Sequence, residues 1–233
     1  MHLKKGYSKK HLLWGIEILY EDEDILVVDK PPGLLTISTE TQKSKTAYSI
    51  ITNYVRKSYS KSKKRIFVVH RLDRDTSGIL IFAKNENAKL YLQKHWGETR
   101  KKYLAVVHGS PANKTGTISS YLTENKAHIV YSTSNPKTGK LARTEYKVIK
   151  ETNYFSLLEI NLLTGRKNQI RVHLADINHP VVGDRKYGLA NNNHKYLALH
   201  SRMISFNHPL TCKRLSFEAK VPEYFNKLVG FKL

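Results

Sequence analysis

The longest apolar runs of this chain are only as long as a β-strand, and the run from Ile79 to Ala83 is typical. Such runs are far shorter than the roughly 20 apolar residues that a membrane-spanning helix needs. The start of the chain, from Met1 to Lys10, is basic, and no apolar segment of the kind found in secretory signals follows it. We therefore expect a fold built largely from short strands, with no membrane partner.

The apolar pattern predicts strands along the whole chain, with a few helices between them. The predicted strands are Ile16–Tyr20, Ile25–Asp29, Phe67–Arg71, Gly78–Ala83, Lys102–Val107, Thr117–Leu122, His128–Ser132, Thr144–Ile149, Phe155–Leu162, Tyr196–Phe206 and Arg214–Ala219. The predicted helices are Thr46–Val55, Asn85–Trp96, Gln169–Ile177 and Glu223–Val229. Thr46 and Asn85 are the expected N-caps of the first two. Runs of strands with scattered helices favour the α+β class, with a mixed, mostly antiparallel central sheet and flanking helices and loops.

The chain has 233 residues, which suffices for one large domain or two small ones. No internal repeat and no stretch with the composition of a linker interrupts it. We therefore predict a single domain over residues 1–233, in which residues 1–15 form a basic N-terminal extension. The polar, basic stretch from Ser58 to Arg65 is expected to be a surface loop.

Charge is the least ordinary property of the composition. Forty Lys and Arg residues stand against nineteen Asp and Glu, a formal net charge of +21. Such an excess favours a polyanionic partner, because each phosphate that a cation neutralises releases condensed counterions. A solvated basic surface is the alternative, and charge alone does not separate RNA from DNA or from a membrane.

Cys212 is the only cysteine, so no disulfide can form within the chain, and a reducing cytoplasm is the expected location. The histidines do not have the spacing that holds a metal on a helix. The sequence contains no glycine-rich phosphate loop and no dinucleotide fingerprint. We expect neither a metal nor a cofactor.

The segment His70–Gly78 combines turn chemistry with charge. An apolar strand leads into Arg71-Leu72-Asp73-Arg74, and Gly78 begins another strand. Asp, Thr, Ser and Gly are common turn residues, so a well-capped connection explains part of the pattern. It does not explain a carboxylate between two arginines at the end of a strand. Arg71 and Arg74 would favour the charged form of Asp73, and they are able to bind phosphate.

Six blocks of the sequence resemble, in the same order, those of the RluA-type pseudouridine synthases. The blocks are Tyr20–Gly33 (YEDEDILVVDKPPG), Val69–Gly78 (VHRLDRDTSG), Lys101–Ala105 (KKYLA), Thr164–His173 (TGRKNQIRVH), Asn178–Gly188 (NHPVVGDRKYG), and Leu199–His200 together with His208–Pro209. They extend from about Glu17 to about Val221, and on them the chain is identified as a member of this family.

The resemblance implies an isomerase with the pseudouridine synthase fold. Such an enzyme cleaves the N1–C1′ bond of a uridine in folded RNA, rotates the base and reattaches it through C5. Asp73 is then the catalytic carboxylate, which either attacks C1′ or removes the proton at C2′. Arg171 is the arginine that pairs with Asp73, and Tyr103 is the tyrosine that stacks on the target base. The alternatives are a phosphate-binding or structural role for Arg171 and a place in the core for Tyr103.

Four further residues are expected to contact the RNA, namely Arg71, Arg74, Arg166 and Asn168. Arg71 would fill the space that a flipped nucleotide leaves or hold its backbone, with a salt bridge to a neighbouring acid as the alternative. At position 168 the family usually has histidine, and asparagine cannot titrate near neutral pH. We therefore expect Asn168 to position RNA or backbone. No S4-type RNA-binding domain is expected before the first block.

Two other functions are compatible with the residues themselves. A non-catalytic RNA-binding protein of the same fold would share the charge but would not need Asp73. A glycosidase would use the same carboxylate but would release free uracil. We expect a structured ribosomal or transfer RNA as the partner and a monomeric enzyme, while the particular uridine is not set by these motifs.

Overall fold

In the computed structural model, residues 12–39, 45–58, 65–191 and 193–230 are described. The chain divides into two compact units. Unit 1 consists of Met1–Thr99 and Phe206–Ala219, and unit 2 consists of Arg100–Ser205 and Lys220–Leu233. The single domain over residues 1–233 stays a prediction. Residues 1–11 of the expected N-terminal extension and residues 59–64 of the basic stretch lie outside the described residues.

The strands, in chain order, are β1 (Leu12–Leu13), β2 (Ile16–Glu21), β3 (Ile25–Lys30), β4 (Phe67–Val68), β5 (Ser77–Ala83), β6 (Arg100–His108), β7 (Thr115–Glu124), β8 (Val130–Thr133), β9 (Lys140–Glu151), β10 (Phe155–Leu162), β11 (Leu199–Asn207) and β12 (Arg214–Glu218). The helices are α1 (Ala47–Ser58), α2 (Glu86–Lys94), α3 (Gln169–Asp176) and α4 (Glu223–Val229). A short 3₁₀ helix spans Trp96–Glu98. The α+β prediction, with a mostly antiparallel sheet, is therefore confirmed.

In unit 1 the antiparallel strand order is β1-β2-β3-β5, and β4 pairs with β5. Strands β3 and β5 are almost entirely buried, which is why their sequences are continuous apolar runs and do not alternate. Helix α2 packs on β4 and β5. The register pairs Lys30 with Gly78, so the turn after β3 lies beside the loop that precedes β5.

Strand β4 is shorter than the sequence predicts. A strand was expected from Phe67 to Arg71, but β4 pairs with β5 only through Phe67 and Val68. Beyond Val68, the Nε2 atom of His70 accepts a hydrogen bond from the backbone N–H of Ile81 at 3.0 Å. The imidazole thus takes the place of a strand carbonyl. The chain leaves the sheet at this point, and the loop that carries Asp73 begins.

Both predicted N-caps are confirmed. The hydroxyl of Thr46 accepts the backbone N–H of Ser49 at 3.1 Å, and the hydroxyl of Ser49 accepts that of Thr46 at 3.0 Å. This exchange is a reciprocal cap of the kind that satisfies the free amides at a helix start. The side-chain oxygen of Asn85 accepts the N–H of Ala88 at 2.8 Å. Helices α1 and α2 therefore begin where the sequence places them.

In unit 2 the antiparallel strand order is β11-β6-β10-β9-β7-β8. Helix α3 packs against β8 and β9, and α4 packs against β6 and β10. The fully buried His173 of α3 hydrogen-bonds to Thr144 of β9 at 2.9 Å and to Ser120 of β7 at 3.1 Å. These bonds fix the face of α3 that meets the sheet.

Strand β9 is longer than the segment from Thr144 to Ile149 that the sequence predicts. It pairs with β7 from Lys140 opposite Leu122 to Lys147 opposite Thr115. Many residues in this part of both strands are exposed. Their polar side chains therefore carry little of the apolar alternation by which a strand is recognised.

Candidate active-site residues

The loop that carries Asp73 is held by backbone and side-chain bonds within unit 1. The carbonyl of Asp73 accepts the N–H of Thr76 at 3.2 Å, which closes a turn. The buried hydroxyl of Thr36 donates to the carbonyl of Leu72 at 2.8 Å and accepts its N–H at 3.2 Å. Both polar groups of the residue before Asp73 are thereby satisfied by one side chain. The carboxylate of Asp73 is carried by a braced turn, and the residue is half-buried.

A buried amine forms the second brace of this loop. The Nζ atom of Lys30 donates to the carbonyls of Pro31 at 2.9 Å, Leu34 at 2.8 Å and Arg74 at 3.0 Å. Three acceptors call for three N–H protons, which only the charged amine has. Lys30 is 0% exposed. Burial lowers its pKa to about 7, while the negative charges of Asp75 and Asp73 act in the opposite direction.

The two arginines on either side of Asp73 are exposed. Arg74 turns to Asp75, with 3.1 Å from Nε to Oδ1 and 3.3 Å from Nη2 to Oδ2. An ion pair this exposed contributes little to stability, so it does not hinder an exchange of partner for a phosphate. The RNA contacts of Arg71 and Arg74 stay predictions.

In unit 2, Tyr103 lies in the middle of β6. It pairs with Ile160 of β10 and with Ser201 of β11, and it is 8% exposed. Between Ser201 and Met203 the register of β11 shifts against β6, which leaves Arg202 as an extra residue opposite Tyr103 and Lys102. Bulges of this kind redirect side chains and occur often beside active sites. The stacking role of Tyr103 stays a prediction.

The loop before α3 is organised by one buried amide. The side-chain oxygen of Gln169 accepts the hydroxyl of Thr164 at 2.8 Å and the N–H of Arg166 at 2.9 Å. Its side-chain nitrogen donates to the carbonyl of Arg143 at 3.0 Å and to the hydroxyl of Thr144 at 2.9 Å. Gln169 thus ties this loop to β9. Arg166 is exposed, and its Nε donates to the carbonyl of Leu141 at 3.0 Å.

Arg171, in the first turn of α3, forms a two-pronged ion pair with Asp184. The distances are 2.7 Å from Nε to Oδ2 and 2.7 Å from Nη2 to Oδ1. The Asp184 side chain is 0% exposed and that of Arg171 12%. Burial raises the pKa of Asp184, but the bonds from Arg171 and from two backbone amides outweigh it and hold that pKa below its ordinary value. The guanidinium carbon also lies 5.1 Å from the ring centre of Tyr187.

Asn168 joins the same group. Its backbone has φ 53°, in the left-handed region where asparagine is one of the favoured residues. Its Nδ2 atom donates to the hydroxyl of Tyr187 at 3.0 Å, and Nη1 of Arg171 donates to its Oδ1 atom at 3.4 Å. Asn168 therefore contacts both the Arg171 guanidinium and the Tyr187 side chain beside it, and its RNA contact stays a prediction.

Two glycines make room for the loop that supplies Asp184. A Cβ atom on Gly183, which has φ +80°, would lie 1.8 Å from the carbonyl oxygen of Tyr196. A Cβ atom on Gly188 would lie 2.1 Å from the carbonyl oxygen of Asp184. Neither position accepts a side chain, because the contact in each case is with backbone. The close fit holds Asp184 in place beneath Arg171.

The predicted catalytic residues divide between the units. Asp73 belongs to unit 1, and Tyr103 and Arg171 belong to unit 2. The expected pairing of Arg171 with Asp73 stays a prediction. Within unit 2, Arg171 forms an ion pair with Asp184, a residue that was not among those predicted from the sequence. Lys30, Thr36, Gln169 and Tyr187 were missed as well, although all of these except Thr36 stand in the six blocks.

One group of potential metal ligands occurs among the described residues, formed by Asp22, Asp24 and His208 of unit 1. Each of them is used in hydrogen bonds. Asp22 accepts the Tyr20 hydroxyl and His208 Nε2, both at 2.8 Å, and two backbone amides. His208 Nδ1 accepts two backbone amides at 3.2 Å, and Asp24 accepts Asn85 at 2.7 Å. The group is a local brace, and we assign no ion to it.

No helix in the described part of the chain combines the length and the apolar character that crossing a membrane requires.

Comparison with known proteins identifies a family. Residues 24–176 match the family model of RNA pseudouridylate synthase. An uncharacterized RNA pseudouridine synthase of Mycoplasma pneumoniae is 38% identical over 218 residues, which cover 91% of this chain and 68% of that protein. Ribosomal large subunit pseudouridine synthase C of Rickettsia bellii is 36% identical over 220 residues, with 91% and 70% covered.

The fold is also found among solved structures. Human RNA pseudouridylate synthase domain containing 4 superposes with a TM-score of 0.76 at 22% identity, covering 89% of each chain. At this identity the likeness concerns the fold.

The brace formed by Lys30 is tested by Lys30→Met, which keeps an unbranched apolar stem one atom shorter and removes the donors. We expect the free energy of unfolding in urea to fall by about 1–3 kcal/mol, because buried carbonyls lose their partner. Lys126→Met, at an exposed position, is the matched control and should change stability by less than about 0.5 kcal/mol. Equal stability of the Lys30→Met protein and the wild type would show that the loop is held without the amine.

The contact between position 168 and Arg171 is tested by Asn168→His. Burial and the neighbouring guanidinium would lower the pKa of the new imidazole below its usual 6.5. The unfolded chain then binds a proton at a pH where the folded chain does not, so stability falls as the pH drops through about 6.5. We expect an extra loss of about 1 kcal/mol between pH 7.5 and pH 5.5 relative to the wild type. Parallel stability curves for the two proteins would contradict the contact.

Proposed function

This chain belongs to the RNA pseudouridylate synthase family, whose members are isomerases, and we propose that it converts a specific uridine of a structured RNA to pseudouridine with Asp73 as the catalytic carboxylate. The observation that carries the proposal is that the segment matching the family, residues 24–176, contains Asp73 on a loop braced by Lys30 and Thr36. Tyr103 and Arg171 fall within the same segment.

The first step breaks the N1–C1′ bond of the uridine. Positive charge of the oxocarbenium kind then develops on the ribose, and a carboxylate beside C1′ either stabilises it or bonds to it. Asp73 supplies that carboxylate. It either bonds to C1′, in a bond that breaks when C5 attacks, or removes the proton at C2′, which returns to C2′ when C5 is joined to C1′. A turn whose polar groups are already satisfied suits this task, because it does not have to reorganise when charge develops.

After cleavage, the uracil rotates and C5 bonds to C1′. The proton at C5 is then lost and N1 takes up a proton, so that the product is an isomer of the substrate. The ring of Tyr103 is proposed to stack on the base during this step, and its hydroxyl to assist proton transfer. Arg171 is proposed to direct Asp73. Its two-pronged bond to Asp184 supports this role, because a guanidinium fixed at two atoms presents its remaining donors in a set direction.

A uridine inside folded RNA must be extruded before its ribose can reach a carboxylate. We propose that Arg71 occupies the vacated space or holds the flipped backbone. Arg74 and Arg166 are both exposed and are proposed to bind phosphates. The net charge of +21 supports a polyanionic substrate. For Asn168 we propose an indirect part in RNA positioning, through Arg171.

The substrate is proposed to be ribosomal or transfer RNA. The name of the Rickettsia bellii relative, a ribosomal large subunit pseudouridine synthase, favours ribosomal RNA as the first candidate. We further propose that the protein acts as a monomer in the cytoplasm, where its exposed Cys212 would stay reduced, and that the isomerisation needs no metal and no cofactor.

The proposal is tested with Asp73→Asn, with ribosomal and transfer RNA from cells lacking the gene as substrate. The wild type should form pseudouridine without release of uracil. Asp73→Asn should form none, a loss of at least about a thousandfold, while its affinity for the RNA stays within about twofold. Asp75→Asn, two residues further along the same loop, is the control and should retain activity within about tenfold.

Three results would contradict the proposal. Pseudouridine formed by the Asp73→Asn protein would remove this residue from catalysis. Free uracil in the wild-type reaction would indicate a glycosidase. RNA binding by the wild type without any conversion would indicate a non-catalytic RNA-binding protein.

A further inference from the structure

An exposed tryptophan stands at the tip of the first hairpin of unit 1. Strands β1 and β2 pair Leu13 with Ile16, so Trp14 and Gly15 alone form the turn. Both have positive φ, 53° and 84°. Two-residue hairpin turns of this kind favour Asn-Gly or Asp-Gly, because asparagine and aspartate tolerate the left-handed region far better than bulky side chains do.

Trp14 is largely exposed, so burial of its ring offsets little of the cost of this backbone conformation. The residue is 73% exposed, against 0% for Ile16 two residues later. A large aromatic residue in a strained backbone conformation and outside the core is not explained by the stability of the hairpin. Outliers of this type are a reason to consider a function.

A cation accompanies the ring. The Nζ atom of Lys45 lies 4.8 Å from the ring centre of Trp14, within the range of a cation–π contact. The ammonium lies over one face of the indole. A base can stack on the other face while its phosphate pairs with the cation, so the pair matches the two chemical parts of a nucleotide.

The turn also adjoins the segments that brace Asp73. A Cβ atom on Gly15 would lie 3.3 Å from Cγ of Pro31. The residue before Pro31 is Lys30, whose amine bonds to the carbonyl of Arg74 at 3.0 Å. A short series of contacts within unit 1 therefore connects the Trp14 turn to the loop of Asp73.

We propose that Trp14 and Lys45 form a stacking site for one unpaired nucleotide of the substrate RNA, outside the target uridine itself. The inference rests on the proposed function, because it takes RNA as the substrate. Stacking does not depend on the identity of the base, so the site contributes affinity and leaves the choice of uridine to other contacts.

The ring can be observed directly by fluorescence. The chain has two tryptophans, so Trp96→Phe leaves Trp14 as the only indole. Its emission should be that of a solvated ring in the free protein, and a single-stranded RNA of uridines should quench it on stacking. A blue-shifted emission before RNA is added would show that the ring is already covered. Unchanged emission at saturating RNA would show that no base reaches it. Either result overturns the proposal.

Substitution separates binding from stability. In Trp14→Asn the turn acquires a residue that favours positive φ, so the melting temperature should stay the same or rise, while the dissociation constant for the RNA should increase by about tenfold. Trp14→Phe keeps an aromatic face and should bind within about threefold of the wild type. Leu210→Ala removes another exposed apolar side chain of unit 1, 72% exposed, and should leave RNA affinity unchanged.

The two proposals fail in different ways. If the wild type forms pseudouridine and Trp14→Asn binds RNA as tightly as the wild type does, the stacking site is wrong and the enzymatic function stands. If RNA quenches Trp14 and Trp14→Asn weakens binding, but no pseudouridine forms, the stacking site stands and the enzymatic function is wrong.

Discussion

The loop that carries Asp73 in unit 1 depends on one buried lysine amine. Lys30 is the last residue of β3 and has no exposed surface. Its amine donates to three carbonyls, one of which belongs to Arg74, the residue after Asp73. Burial of the amine is costly, as the lowered pKa of about 7 indicates. The amine offsets this cost by joining two segments, because its hydrogen bonds connect the turn after β3 with the loop that carries Asp73. Thr36 acts in the same way on the residue before Asp73.

In unit 2, too, a buried charged side chain holds a residue that is proposed to act on RNA. Here the buried group is the carboxylate of Asp184, and the residue that it holds is Arg171. Arg171 is fixed by a buried carboxylate, and the loop that supplies this carboxylate folds only because Gly183 and Gly188 have no side chain. Gln169 fixes the other end of the same helix turn to β9. In both units, a residue proposed to act on RNA is positioned by a fully satisfied polar side chain from another segment.

Much of the fold follows from local sequence. The buried strands β3 and β5 were predictable because they are continuous apolar runs, and the starts of α1 and α2 because Thr46 and Asn85 cap them. The early end of β4 was not predictable, since it depends on His70 accepting a bond from Ile81, eleven residues away. The length of β9 was missed because its polar residues are stabilised by pairing with β7 and not by burial.

The same contrast between local sequence and distant contacts holds for the candidate site residues. Asp73, Tyr103 and Arg171 were selected from motifs, which identify residue types but not their partners. Lys30 lies 44 residues from Arg74, and Asp184 lies 13 residues from Arg171. Contacts over such separations arise from the tertiary fold, so the two bracing residues were visible in the sequence only as members of a motif. The exposure of Trp14 likewise became clear only from the structure.

We propose that this chain makes pseudouridine in a cellular RNA. The most direct measurement is a map of pseudouridines in ribosomal and transfer RNA from cells with and without the gene. We expect one uridine, or a small set of uridines, to be pseudouridine in the first RNA and unmodified in the second. Identical maps from the two cells would contradict it.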